Sequence, residues 1–201
     1  MKTLFKLLLA IAIVTTGWMS WLARDFKYPG DNHFSIMALE LPADSASLTD
    51  MITNISPNTR EAILKQLNVD YIFMAGCYLG ILVLCLIAIR HITAINSLQK
   101  DLQKSQSGAV WKKLLMALAL LQLLAWGLDV WENAQIEQWL QTGTVNNDID
   151  FFKARVYIKF AIAFAGFFTA ALLLLFTNSL PKKLSNQKIK SMPVDGSVEL
   201  I

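Results

Sequence analysis

Four long apolar runs, each bounded by charge, organise the chain. Leu7 to Ala23 lies between Lys6 and Arg24, Tyr71 to Ile89 between Asp70 and Arg90, Leu114 to Leu128 between Lys113 and Asp129, and Phe160 to Phe176 follows Lys159. A helix rising 1.5 Å per residue needs about 20 apolar residues to cross some 30 Å of hydrocarbon, so each run predicts a membrane span. The second run is the cleanest. The first is short and gains from Leu4, Phe5 and a snorkelling Lys6. Its start also resembles a secretory signal, but Trp21-Leu22-Ala23 puts a bulky side chain where cleavage wants a small one, which favours a retained anchor. The third run reaches full length only with its polar flanks. Trp111 and Trp131 bracket it, which sets Asp129 just inside the outer boundary and Glu132 and Asn133 at it. The fourth fades through Thr177, Asn178 and Ser179 to Pro181.

The expected fold is an all-α membrane protein: four transmembrane helices in an antiparallel bundle, with an outer loop containing short amphipathic helices. Expected spans are 4–23, 70–90, 111–132 and 156–178, with an outer loop at 24–69, inside a transmembrane domain 1–181 followed by a flexible basic cytoplasmic tail 182–201.

Composition agrees. The chain has 201 residues, 55% hydrophobic and 16% charged, with mean hydropathy +0.45, against about 25% charged for a soluble domain. The net charge of +3 hides an asymmetry. With both termini in the cytoplasm, the inner segments hold 11 Lys/Arg and 3 Asp/Glu, and the outer segments 7 Lys/Arg and 12 Asp/Glu. Short basic inner loops fit the positive-inside rule, so a plasma (inner) membrane protein is expected.

Within the outer loop, Ser47-x-x-Asp50 is box-like and Ser56-Pro57 reads as a cap followed by a first helical residue. A helix from Pro57 through Ile63, Leu64 and Leu67 lies on the outer surface or runs into the second span. Phe34 to Leu41 reads as either an extended segment or an interfacial helix. On the inner side Ile92, Ile95, Leu98 and Leu102 carry the second helix toward Lys104, and Gln106, Ser107 and Gly108 mark a turn. Gly76 and Gly80 on the second helix, with Ala163, Gly166 and Ala170 on the fourth, predict close packing of those two helices beside the third.

The chemistry is confined to few residues. Asp129, Glu132 and Asn133 share one face of the third helix, with Gln122 seven residues earlier on it. Asp70, Arg155 and Lys159 fall at the same outer level. One reading is interface placement alone, with cations snorkelling and acids in water. The other is a polar pocket between helices two, three and four, formed by Asp70, Gln122, Asp129, Glu132, Asn133, Arg155 and Lys159, and the depth of Gln122 favours it. Cys77 and Cys85 are about 12 Å apart on one helix and read as packing residues. His33 is a lone loop histidine. No metal, cofactor or nucleophile motif is present in the sequence, and no cofactor or nucleic acid is expected.

Leu39-Glu40-Leu41 in the outer loop, Asp70 opening helix two, Asp129-Val130-Trp131-Glu132-Asn133 closing helix three and Lys159-Phe160 in helix four together form a pattern. It resembles a group of small bacterial four-helix integral membrane proteins with F-E-L, L-D-F, D-x-x-E-N and A-K-F segments. Here Val69 and Tyr71 flank the aspartate and Ile158 stands in place of the alanine. The resemblance implies that the acidic, amide and lysine positions form one site. The leading expectation is a non-catalytic membrane protein whose pocket binds an amphipathic or lipid-like ligand or docks a partner, either a second copy or another membrane protein. The alternative is a lipid-modifying enzyme with Asp129 or Glu132 as acid/base and Lys159 stabilising charge. An ion-coupled carrier is weaker, because no charge reaches the midplane.

Overall fold

The computed structural model describes residues 1–28, 32–33, 35–101, 108–145 and 148–177. Along the chain come α1 (Lys2–Leu22), a 3-10 turn (Ala23–Asp25), β1 (Lys27–Tyr28), β2 (Asn32–His33), α2 (Met37–Glu40), α3 (Ser45–Asn54), α4 (Pro57–Asp101), α5 (Gly108–Thr142) and α6 (Ile149–Thr177). The two strands are a short antiparallel ladder pairing Lys27 with His33. Helices α1, α4, α5 and α6 are long and apolar enough to cross a membrane. They pack in an up-down bundle, as the apolar runs predict, making this an all-α multi-pass membrane protein. Residues 29–31, 34, 102–107, 146–147 and 178–201 lie outside the described set, and with them Asp31, Phe34, Leu102, Lys104, Gln106, Ser107 and the basic tail.

Two of these helices are longer than a bilayer requires. The 45 residues of α4 span about 68 Å and the 35 of α5 about 52 Å. Trp111 and Trp131 are both exposed on α5, about 30 Å apart along its axis, one hydrocarbon thickness. Beyond Trp131 the end carrying residues 24–56 is therefore built on helix extensions. The segment from Pro57 runs straight into the second span rather than lying on the surface. Phe26, Leu39, Leu48, Ile52, Ile63, Trp139, Leu140 and Phe152 share a buried core there, with the Trp139 and Phe152 rings 4.8 Å apart. What reads as loop in the sequence is a packed cap whose apolar partners are the turns of α4, α5 and α6 at that end.

Local signals place the cap helices. Ser56 Oγ accepts from Thr59 N at 3.1 Å, leaving Pro57 as the first residue of α4. Helix α3 is capped three residues earlier than the Ser47-x-x-Asp50 reading: Asp44 Oδ1 accepts from Ser47 N at 2.7 Å and Ser47 Oγ accepts from Asp44 N at 3.2 Å. Phe34 to Leu41 resolves at its described end into the single turn α2. Arg60 Nη1 donates to Leu140 O at 2.6 Å and Nη2 to Ile52 O at 3.1 Å. One cation thereby joins the carbonyl ends of α5 and α3, where helix dipoles are negative.

The small-residue stripe of α4 does different work from that predicted, while that of α6 packs against α4 and α5 as expected. A Cβ on Gly76 would lie 3.1 Å from Ala12 N, Ile11 Cγ2 and Leu8 O, so Gly76 admits α1, not α6, against α4. Gly166 faces Gln122 of α5 and Ile81 of α4, and Ala170 is buried with Leu84, Cys85, Leu115 and Ala119. A small-xxx-small pattern fixes that a helix approaches closely and says nothing about which one.

Candidate functional site

Lys159 is the centre of the polar cluster. Asp129 and Glu132 stand one turn apart on α5 and point at α6, where Lys159 lies on the facing stripe. Its side chain is 3% exposed, with Nζ 2.5 Å from Asp129 Oδ1, 2.7 Å from Glu132 Oε2 and 3.9 Å from Glu40 Oε2. Tyr78 of α4 donates its hydroxyl to Asp129 Oδ2 at 2.9 Å. One ammonium thus holds carboxylates from α2 and α5, while α4 orients the nearer one. Glu132 is paired by charge alone, since neither of its oxygens accepts a hydrogen bond. Beside this group Asn133 Nδ2 donates to Asp70 Oδ2 at 2.7 Å, fixing α5 to the start of the second span. Glu40, outside the spans, is held above the ordinary glutamate range, first by burial, against which Lys159 acts, and then by Asp129 and Asp70.

A cavity of about 480 Å³ lies against this cluster. Its polar end is formed by Glu40, Gln66, Asp70, Asp129 and Lys159, and its body by apolar side chains including Leu9, Phe73 and Phe164. The walls are α1, α4 and α6 with α2 over the polar end, so the expected placement between helices two, three and four is corrected: α5 contributes Asp129 to the lining from behind and α1 takes its place as a wall. The reason is the Gly76 contact, which draws α1 onto α4. Leu9 and Phe164 are also exposed on the bundle surface, so the cavity opens sideways between α1 and α6.

Of the seven residues singled out in the sequence, Asp70, Asp129 and Lys159 line the cavity. Glu132 and Asn133 sit behind it, 2% and 1% exposed, each holding a lining residue. Gln122 is elsewhere. It donates to Leu118 O at 3.2 Å and Ile162 O at 3.1 Å, so its depth reflects α5–α6 packing over Gly166. Arg155 is also elsewhere: it donates to Gln135 Oε1, and its guanidinium lies 4.5 Å from the Trp131 ring centre and 5.0 Å from that of Phe151. Of the two cations, Lys159 pairs with the acids and Arg155 takes its contacts from Gln135 and the rings.

Three contributors fall outside the seven: Glu40, Gln66 and Tyr78. The first is carried by the Leu39-Glu40-Leu41 segment of the resemblance. For Gln66 the signal is spacing, since Gln66, Asp70, Phe73, Cys77 and Gly80 follow one another at intervals of four and three along a single face of α4, and all five line the cavity. Cys77 is accordingly a lining residue, while Cys85 is core, and both are free thiols. Among the described residues no group of His, Cys, Asp or Glu is arranged to hold a metal ion. The point on which the carboxylates converge is taken by the Lys159 ammonium.

No protein-family model, curated protein or solved structure matches the chain.

Proposed function

We propose that this chain is a non-catalytic protein of a bacterial inner membrane, with both termini in the cytoplasm, that binds an amphipathic, lipid-like ligand in the cavity between α1, α4 and α6. It would stand with the small four-helix proteins that share its D-x-x-E-N segment. The observation carrying the reading is the cavity's division into two parts: an apolar body open to the bilayer and a polar end built from Glu40, Gln66, Asp70, Asp129 and Lys159. A head group would sit under α2 and a chain would run between α1 and α6. The volume falls in the range of small-ligand pockets, roughly 300–1,000 Å³. The basic segment 90–113 and the lysines near the N-terminus support an orientation with the α2–α3 cap outside.

Binding is favoured over lipid-modifying chemistry by the state of Lys159. An ammonium already within 2.7 Å of two carboxylates is neutralised before any negative charge develops on a substrate, which weakens the stabilising role an enzyme would need from it.

The test is native mass spectrometry and lipid analysis of the purified protein, comparing wild type with Ala163→Trp, which fills the cavity body, and with Lys159→Ala. Wild type is expected to retain a defined lipid-like species that Ala163→Trp loses. Identical profiles for all three proteins defeat the proposal. Turnover of the retained species by wild type, abolished in Asp129→Asn with retention intact, would establish the enzyme instead.

A further inference from the structure

Resting on that binding reading, we infer that the cavity selects amphiphiles whose head is a protonated primary amine and discriminates against anionic heads. The polar end is an excess of acceptors. Glu40, Asp70, Asp129 and Glu132 supply four carboxylates around one ammonium, Lys159, and that ammonium is closest to the two set on α5. Asp70 accepts from a neutral amide, Asn133, and among the described residues it has no cation within ion-pair distance. Arg155, the next cation along α6, is turned away to Gln135 and the aromatic rings.

The independent pointer is Gln66. Its side chain lines the cavity, the residue is 6% exposed, and its buried Oε1 accepts no hydrogen bond. A buried amide oxygen without a donor is costly, and the lysine at this end of the cavity, Lys159, is already engaged by the α5 carboxylates. What is missing on the cavity side is a donor, and the chemistry that satisfies both the idle amide oxygen and the unmatched carboxylates is a cationic donor. A primary ammonium carries three N–H bonds and one positive charge, matching Gln66 Oε1, Asp70 and Glu40. A phosphate or carboxylate head brings acceptors to acceptors and like charge to carboxylates. An alcohol satisfies Gln66 but leaves the charge. The amine could arrive on a membrane aminophospholipid or on a free single-chain amine, and the head chemistry is common to both.

The experiment uses the full-length protein in micelles, titrated by native mass spectrometry with three matched 16-carbon probes: hexadecylamine, hexadecanol and hexadecyl phosphate. The amine should bind about tenfold or more tightly than either of the others. Glu40→Gln should erode that preference while leaving hexadecanol binding little changed, and Gln66→Leu should weaken both the amine and the alcohol; an unfolding midpoint close to wild type is the control that both variants fold. A second arm measures co-purification from nanodiscs of phosphatidylethanolamine or phosphatidylglycerol, each mixed with phosphatidylcholine. Enrichment of phosphatidylethanolamine assigns the amine to a membrane lipid, and hexadecylamine preference without that enrichment assigns it to a single-chain source. Equal binding of the three probes, or preference for the phosphate, overturns the head-group inference while leaving the ligand cavity standing. Failure of every probe and lipid to bind wild type overturns both.

Discussion

Removing the Lys159 ammonium should destabilise the bundle far more than loss of a surface ion pair. The side chains concerned are 3% exposed for Lys159, 9% for Asp129 and 2% for Glu132. At an effective dielectric of 20 and a separation near 2.6 Å each pair is worth about 6 kcal/mol of gross attraction. Desolvation of three ions offsets most of that sum, so the intact trio adds little net stability. The asymmetry appears when one member is deleted: Lys159→Met strands two buried carboxylates, at a cost of about 3–5 kcal/mol, against about 0–1 kcal/mol for an exposed pair. For a chain of this size each kcal/mol moves the midpoint by about 2–4 °C, so the variant should melt roughly 6–20 °C below wild type. The assay is thermal unfolding in micelles followed by tryptophan fluorescence. The triple variant Lys159→Met, Asp129→Asn, Glu132→Gln should recover most of the loss, because no charge is left unpaired. A single variant within about 1 kcal/mol of wild type, or a triple variant no better than the single, would refute the buried trio.

Gly76→Leu should loosen α1 from α4 at a cost of about 1–3 kcal/mol, because its Cβ would already lie 3.1 Å from backbone atoms of α1; a fall in disulfide cross-linking between Ala12→Cys and native Cys77 in the same background would report it. Arg60→Ala removes two charge-assisted bonds to Leu140 and Ile52 carbonyls and should cost about 1.5–3 kcal/mol, read as earlier proteolysis of the α3 region. Glu40 predicts a pH dependence. Its folded value is raised, chiefly by burial, so the folded state holds its proton more tightly. That stabilisation is complete below the ordinary glutamate range and is lost as pH rises through the folded value. Unfolding midpoints of Glu40→Gln should therefore fall less than those of wild type across that rise.

Large apolar surfaces were legible in the sequence and their pairing was not. Each of the four spans carries an uncharged run of 15 to 19 residues that reaches the hydrocarbon thickness with its flanks, so composition decides its state. The cap helices resist the same treatment, because five of the ten residues of α3 are exposed and its buried Leu48 and Ile52 share a core with Trp139 and Phe152, far downstream in the chain. In the site, Asp129, Glu132 and Asn133 were visible as one helical face, and Lys159 as the opposing charge. The cavity was not visible, because its wall depends on which helix Gly76 receives. Gln122 and Arg155 carry the same polar signal as the lining residues and spend it on neighbouring helices and rings. Residue type cannot separate those two fates.

Photocrosslinking with a lipid carrying a diazirine in its acyl chain, followed by peptide mapping after extensive detergent washing, tests the central claim most directly. The account predicts that the surviving label concentrates on Leu9, Phe73 and Phe164, which line the cavity, and disappears in Ala163→Trp. Label confined to outward residues such as Leu120, Leu124 and Leu172, unchanged by that substitution, would contradict it.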